Sequence, residues 1–193
     1  YLPLLRQWLA LGLHARLGSY AVLGNHEIWA GVADEVRSSL AEAGIQVLSG
    51  SCTRLVGAGA EHVVLCGDEA PWGDDFTAPV KAQGDVVIAL THTPDNIYDL
   101  QPRADLVFAG HYHGGQWRVP GWGALIIPSV FGRRFDVGDF AVGNTELFVS
   151  AGLGADSPPV RVNCPPELLT VDLVSSATAV AEGPAPRRGD RLN

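Results

Sequence analysis

A short segment with two histidines is the part of this sequence best suited to chemistry. Residues 110–116 read GHYHGGQ and follow an apolar run, so His111 and His113 lie on a turn flanked by glycines. Neutral imidazole is the commonest metal-binding side chain, and glycine lets a ligand approach the main chain closely. The segment therefore predicts a metal site.

Two further histidines follow apolar runs in the same way. Residues 24–27 read GNHE and residues 91–95 read THTPD, which places His26 and His92 just past predicted strands. In layered α/β folds, active sites form at the carboxyl edge of the strands, on loops held by a rigid sheet. The turns that carry His26, His92 and His111 are therefore candidates for one common site.

The apolar periodicity predicts an α/β fold whose second half is mostly β. Helices are predicted over residues 4–16, 32–43 and 96–100. Strands are predicted over residues 20–23, 45–48, 54–56, 62–66, 86–90, 106–109, 117–119, 124–127, 145–150, 159–162 and 167–173, with a hairpin turn at 57–60. We assign residues 1–173 to one domain and residues 174–193, which are small, polar and without periodicity, to a disordered tail.

Length and charge exclude some functions. A chain of 193 residues fits one domain with a sizeable core. A net charge of −8 argues against a general binder of nucleic acid or anionic membranes. No apolar stretch approaches the ~20 residues that cross a bilayer. The chain has no methionine, as expected of a processed product or a fragment, so an upstream anchor is not excluded.

The three cysteines are interpreted as structural residues. An odd number does not make a closed disulfide framework, and Cys66 within an apolar run is typical of a small buried side chain. We expect Cys52 and Cys164 to be structural as well.

The three histidine segments resemble, in order, the last three motifs of the calcineurin-like metallophosphoesterases. Residues 114–116 (GGQ), 149–154 (VSAGLG) and 164–167 (CPPE) are similar to a bacterial branch with membrane-associated phosphoesterases and UDP-2,3-diacylglucosamine pyrophosphatases. The resemblance extends to Leu173. It implies a layered α/β/β/α sandwich and a cytoplasmic or membrane-associated location in a bacterium.

The resemblance implies two divalent cations of manganese, iron or zinc, roughly 3.5–4 Å apart, with a bridging hydroxide that attacks phosphorus in line. Asn25, His92 and His111 would bind one cation and His113 the other. Amide oxygen and imidazole ligands suit several of these metals, so ligand type does not select one.

The resemblance also implies roles toward a substrate, which would be a small-molecule or lipid-linked phosphoester, a pyrophosphate or a UDP-sugar, and no nucleic acid. His26 would contact the phosphoryl group and stabilise charge or protonate the leaving oxygen. Glu27, where aspartate is more usual, would orient His26. Gly114 and Gly115 would leave room for the substrate.

Two family motifs, Asp-x-His and Gly-Asp-x-x-Asp, do not occur in this sequence. They supply the bridging aspartate and most ligands of one metal, and Asp68 is a poor substitute because it follows the GNHE segment. We therefore expect these residues alone to lack the first strands, to fold poorly, to bind at most one metal weakly and to lack activity. The intact gene product should be active.

Other interpretations remain open. A noncatalytic binding protein could retain the fold, and a metallo-β-lactamase-like hydrolase also uses His-x-His, although it needs Asp-His soon afterwards.

His14, His62, and the pair Asp74 and Asp75 are expected to be surface residues. Arg133 and Arg134 would form a surface pair or meet a phosphate. Four aromatic residues are expected in the core of the β half: Trp117, Trp122, Phe131 and Phe135. They would form a wall for an acyl chain only if an exposed apolar patch lay beside the metal site.

Overall fold

The computed structural model describes residues 2–12, 15–56 and 62–174. The predictions for His14, for the hairpin turn at 57–60 and for the tail beyond Val174 lie outside these residues.

The described chain has its helices mostly in the first half, strands throughout, and irregular structure at its end. In chain order the elements are α1 (Leu2–Leu9), β1 (Ser19–Ala21), α2 (Asn25–Trp29), α3 (Ala33–Glu42), β2 (Ile45–Val47), β3 (Cys52–Arg54), β4 (Val63–Asp68), β5 (Val86–Thr91), α4 (Ile97–Leu100), β6 (Leu106–Ala109), β7 (Arg118–Val119), β8 (Gly123–Ala124), β9 (Gly138–Val142) and β10 (Thr145–Val149). Short 3₁₀ helices occupy Pro94–Asn96 and His113–Gly115.

A six-stranded sheet forms the centre of the fold. Its order is β3-β4-β5-β6-β10-β9, in which β4, β5, β6 and β10 are parallel and the two edge strands are antiparallel to their neighbours. Apolar clusters cover both faces of the parallel strands, which explains their continuous apolar sequences. The α/β prediction is therefore confirmed as a mixed α/β fold.

A smaller parallel sheet of β1 and β2 lies beside the central one, and α1 and α3 pack against it. The two sheets approach closely at Gly67, where an added Cβ would lie 1.8 Å from the Leu48 carbonyl oxygen. Only glycine fits at this contact. The contact places the carboxyl end of β2 against β4. Because β1 runs parallel to β2, the carboxyl end of β1 lies on the same side.

Several predicted elements are shorter or absent. The first helix ends at Leu9, the strand predicted over 124–127 is reduced to Gly123–Ala124, and residues 159–162 form only a single bridge from Val162 to Trp117. No strand forms over 167–173 in the structure. Prolines at 158, 159, 165 and 166 explain the irregular end of the chain, because proline has no N–H for a strand ladder.

Two of the three cysteines form a bond that the sequence analysis did not predict. Cys52 and Cys66 form a disulfide, and they face each other in the register of β3 and β4. The third, Cys164, is free and buried. Pairing depends on strand register, which cysteine spacing alone does not reveal.

No helix in the described part of the chain has the length and apolarity to cross a bilayer.

Candidate functional site

The three predicted histidine turns meet at the carboxyl edge of the sheets. The ring centroids of His92 and His111 lie 4.6 Å apart, and His92 Nε2 lies 2.8 Å from Asn25 Oδ1. His92 follows β5 and His111 follows β6, the adjacent parallel strand. His26 and His113 are close enough for their charges to lower the pKa of His92. The structure thus puts Asn25, His92 and His111 in contact, with His26 and His113 within electrostatic range of His92.

The turn before α2 separates two neighbouring side chains. Asn25 is 2% exposed and faces His92, whereas His26 is exposed. Glu27 Oε2 accepts a hydrogen bond of 3.0 Å from the Gly24 N–H, so Glu27 satisfies the backbone N–H that precedes α2. Glu27 therefore acts on the backbone of this turn, and its predicted effect on His26 would be transmitted through that backbone.

Gly24 is required by the position of the His92 ring. A Cβ on Gly24 would lie 2.5 Å from His92 Cε1 and 2.7 Å from Nδ1. Such distances are far below van der Waals contact, so any larger residue would displace the ring or the turn. The glycine of the GNHE segment therefore sets the place of an imidazole from another strand.

Burial keeps the clustered imidazoles neutral. Burial, followed by the charges of the neighbouring His111 and His113, lowers the pKa of His92 to about 4. Burial is also the main cause of the lowered pKa values of His111 and His113. The second cause is the charge of His113 in the case of His111, and the charge of Arg161 in the case of His113. At neutral pH the rings therefore keep a free lone pair, the form in which imidazole binds metals.

The turn that carries His111 and His113 has an unusual backbone. His111, His113 and Gln116 have φ values of 69°, 51° and 49°, in the left-handed region that side chains disfavour. Each such residue costs of order 1–3 kcal/mol, and strain of this kind concentrates at functional sites. The turn is held by Cys164 Sγ and Arg161 Nη1, which donate to the His113 carbonyl oxygen at 3.2 Å each.

The two glycines of this turn contact the protein itself. A Cβ on Gly114 would lie 2.7 Å from Cys164 Sγ, and one on Gly115 would lie 2.5 Å from Ala124 Cβ. Packing is therefore one reason for glycine at both positions. Substrate contact at these glycines stays a prediction.

Trp72 is a site residue that the sequence analysis did not identify. Its ring centroid lies 5.7 Å from His92 and 5.2 Å from His111, in edge-to-face contact with both. The ring centroid of Trp29 lies 6.1 Å from that of Trp72. Trp72 is in the irregular loop after β4, where no periodic pattern indicates which side chain turns inward.

Two of the aspartates considered have structural partners. Asp68 accepts hydrogen bonds from Thr91 Oγ1, Asn96 Nδ2 and the Ala70 N–H, and burial raises its pKa. Asp75 is exposed, as expected of a surface residue, and it pairs with Arg103 at 2.9 Å.

The aromatic set divides between core and surface. Phe135 is buried in the main core and Phe131 packs against it, as expected. Trp122 is instead 57% exposed, with the Arg133 guanidinium 4.1 Å above its ring, and Arg134 lies over Phe135.

Trp122 is one of four large apolar side chains that are exposed within residues 122–130. The others are Leu125, Ile126 and Val130. This segment adjoins the histidine turn at Ile126, whose carbonyl oxygen would lie 3.0 Å from a Cβ on Gly115. Exposed apolar side chains beside the site are what an acyl-chain wall requires.

The donor atoms of the cluster suit a divalent cation. Within residues 2–12, 15–56 and 62–174, no three histidine, cysteine, aspartate or glutamate side chains gather as a metal-binding group. The donors that do meet are one amide oxygen and neutral imidazoles, which fit manganese, iron or zinc. Asn25, His92 and His111 can therefore hold part of the coordination shell of such an ion.

Comparison with known proteins gives a consistent set of relatives. No family model and no solved structure matches the chain. It is 29% identical over 181 residues to the uncharacterized metallophosphoesterase YkuE of Bacillus subtilis, covering 91% of this chain and 61% of that protein. It is 31% identical over 182 residues to an uncharacterized metallophosphoesterase of Aquifex aeolicus, covering 89% and 66%. It is 29% identical over 160 residues to phosphodiesterase YaeI of Escherichia coli, covering 81% and 58%. The chain thus spans about three fifths of the length of these relatives.

Proposed function

This chain belongs to the calcineurin-like metallophosphoesterase superfamily, and on that premise we propose that the cluster around His92 and His111 serves metal-dependent hydrolysis of phosphoric esters or pyrophosphates. The observation that carries the proposal is the meeting of the Asn25 amide oxygen, the His92 ring and the His111 ring at one edge of the sheets. Three segments far apart in sequence supply these groups.

Asn25, His92 and His111 would hold one divalent cation, and His113 would contribute to a second. Two such cations would supply Lewis-acid stabilisation of charge on the phosphoryl oxygens and activate water. The protein prepares the ligands by burying the imidazoles in their neutral form and by fixing the Asn25 side chain against His92. These contacts hold the His92 and Asn25 donor atoms 2.8 Å apart before a cation binds.

His26 is suited to the substrate rather than to a cation. It is exposed, yet it follows the buried Asn25 directly, so that a phosphoryl group held by the cluster would lie beside it. From this position His26 would donate a hydrogen bond to a phosphoryl oxygen or a proton to the leaving oxygen.

A substrate with an apolar group is supported by the exposed side chains of Trp122, Leu125, Ile126 and Val130. Their segment adjoins the histidine turn where Ile126 approaches Gly115, so a lipid chain attached to the phosphoester would rest there while the ester reached the histidines. We therefore favour a lipid-linked phosphoester among the substrates that the family resemblance implies.

The test is release of p-nitrophenol from bis(p-nitrophenyl) phosphate by protein loaded with Mn²⁺. We expect His26→Gln to lower kcat by about 10²–10⁴-fold, the usual contribution of general acid–base catalysis, and to leave metal affinity unchanged. His62→Gln is the matched control, since His62 is exposed and pairs with Asp85 at the far end of β5. An unchanged kcat in His26→Gln would contradict the assigned role.

The assay is run on this chain and on the product of its intact gene, because inactivity of these residues alone is itself a prediction. Turnover in the intact product that depends on Asn25 and His111 supports the hydrolase. Metal binding without turnover in that product would instead indicate a noncatalytic binding protein.

A further inference from the structure

Glu69 is a buried carboxylate that the proposed chemistry does not use. It follows β4 directly and is 1% exposed. A carboxylate removed from water is costly unless charged or polar partners surround it, so its contacts indicate what the fold gains from it.

The side chain of Glu69 binds the backbone that leads into the site. Glu69 Oε1 accepts a hydrogen bond of 2.8 Å from the Leu23 N–H, two residues before Asn25. Its other oxygen accepts hydrogen bonds from Arg37 Nη2 at 2.7 Å and from Ser49 Oγ at 2.5 Å. Arg37 thus balances the charge, and both oxygens have partners.

Two carboxylates hold adjacent amides at this point. Glu69 accepts from the Leu23 N–H, and Glu27 accepts from the Gly24 N–H at 3.0 Å. Charge-assisted bonds of this kind are stronger than those between neutral groups. The main chain that carries Asn25 is therefore fixed immediately before the residue that faces His92.

The main chain of Glu69 fixes the opposite side of the site. The Glu69 N–H donates to the Asp74 carbonyl oxygen at 2.9 Å, and the Glu69 carbonyl oxygen accepts from the Trp72 and Gly73 N–H groups at 3.1 and 2.7 Å. These bonds close the loop that lays Trp72 against His92 and His111.

We propose that Glu69 is a positioning residue that sets Asn25 relative to the His92–His111 pair, by joining the turn before α2 to the loop that carries Trp72. The expected effect of Glu69 on metal affinity rests on the proposed function. The structural link itself is independent of that function.

The test compares Glu69→Gln with Asp85→Asn in the full chain. Asp85 is an equally buried carboxylate that binds Arg54 through two bonds of 2.7 Å and the Ala82 N–H, at the amino end of β5. Both variants keep side-chain size and remove one buried charge from an arginine. They differ in that only Glu69 contacts the turn before Asn25.

The first measurement is amide hydrogen exchange without metal. We expect the Leu23 and Gly24 amides to exchange about tenfold or more faster in Glu69→Gln, and at the wild-type rate in Asp85→Asn. Unchanged exchange in Glu69→Gln, or equal acceleration in Asp85→Asn, would overturn the proposal. If Glu69→Gln does not fold, Ser49→Ala takes its place, because it removes one hydrogen bond to Glu69. Ser49→Ala should accelerate exchange of the same two amides to a smaller degree, and unchanged exchange in this variant would count against the proposal.

The second measurement is Co²⁺ affinity by isothermal titration calorimetry. We expect Glu69→Gln to weaken binding about 10- to 100-fold, as loss of groups that orient metal ligands usually does, and Asp85→Asn to leave it unchanged. Equal affinity in wild type and Glu69→Gln would overturn the proposal. If the wild-type chain binds no Co²⁺, the proposed function fails, while the exchange measurement still decides whether Glu69 positions the turn.

Discussion

His92 has close neighbours on two sides, the Asn25 amide oxygen and the bare Cα of Gly24. Because a Cβ on Gly24 would lie 2.5 Å from the ring, Gly24→Ala must displace either His92 or the turn that carries Asn25. We expect this variant to weaken Co²⁺ binding about tenfold or more, measured by calorimetric titration. Gly154→Ala is the control, because its Cβ would lie 3.6 Å from the His113 ring at ordinary contact distance. Equal affinity in the two variants would show that ring position does not matter for binding.

The lowered pKa of His92 predicts how stability of the metal-free protein depends on pH. The pKa is about 4 in the folded state, against 6.5 for an unperturbed histidine such as that of an unfolded chain. Between these values the unfolded state binds a proton that the folded state does not, so stability falls as pH is lowered from about 6.5 and levels off below about 4. The loss from this group is at most about 3 kcal/mol.

Urea unfolding at several pH values across this window measures that dependence. His92→Gln, which can still hydrogen bond to Asn25, should show a flatter dependence than wild type over the same pH range. A dependence in His92→Gln as steep as in wild type would mean that another group causes the loss. Asp85 does not interfere, because Arg54 holds its pKa well below its usual range and below this window.

Among the elements, the β3–β4 pair is held by a covalent bond that the sequence did not indicate. Cys52 and Cys66 close a loop with a sequence separation of 14 residues. We expect the double variant Cys52→Ala, Cys66→Ala to lose roughly 2–4 kcal/mol of unfolding free energy, measured by urea denaturation.

A reductant should lower the wild-type stability by a similar amount and leave the double variant unaffected. Cys164→Ala is the control, since the free thiol takes no part in the bond, and it should keep the full sensitivity to reductant. A wild-type protein insensitive to reductant would contradict the disulfide.

The elements also show where prediction from sequence succeeds. The strands of the parallel sheet are buried on both faces, so β4, β5 and β6 appear as continuous apolar runs and were predicted. Two elements were missed: α2 is only five residues long, and β9 begins with glycine and aspartate. α2 depends on a partner distant in sequence, because Glu69 holds the turn before it, whereas β9 depends on its ladder with the neighbouring β10.

At the scale of the whole molecule, the site joins two sheets. His92 and His111 were predictable as neighbours because they follow adjacent parallel strands. Asn25 begins α2, which follows the separate β1–β2 sheet. It lies beside the two histidines because Leu48 packs on Gly67 and Glu69 binds the Leu23 N–H. The supporting residues Trp72, Glu69 and Arg161 lie in loops, where sequence periodicity carries no information about orientation.

The central claim is that Asn25, His92 and His111 together bind a divalent cation, and Co²⁺ titration of this chain by calorimetry tests it most directly. We expect wild-type protein to bind Co²⁺, Asn25→Ala and His111→Ala to weaken binding at least about tenfold, and His62→Ala, with an exposed ring away from the cluster, to bind like wild type. No binding by the wild-type chain, or equal affinity in all four proteins, would contradict the account.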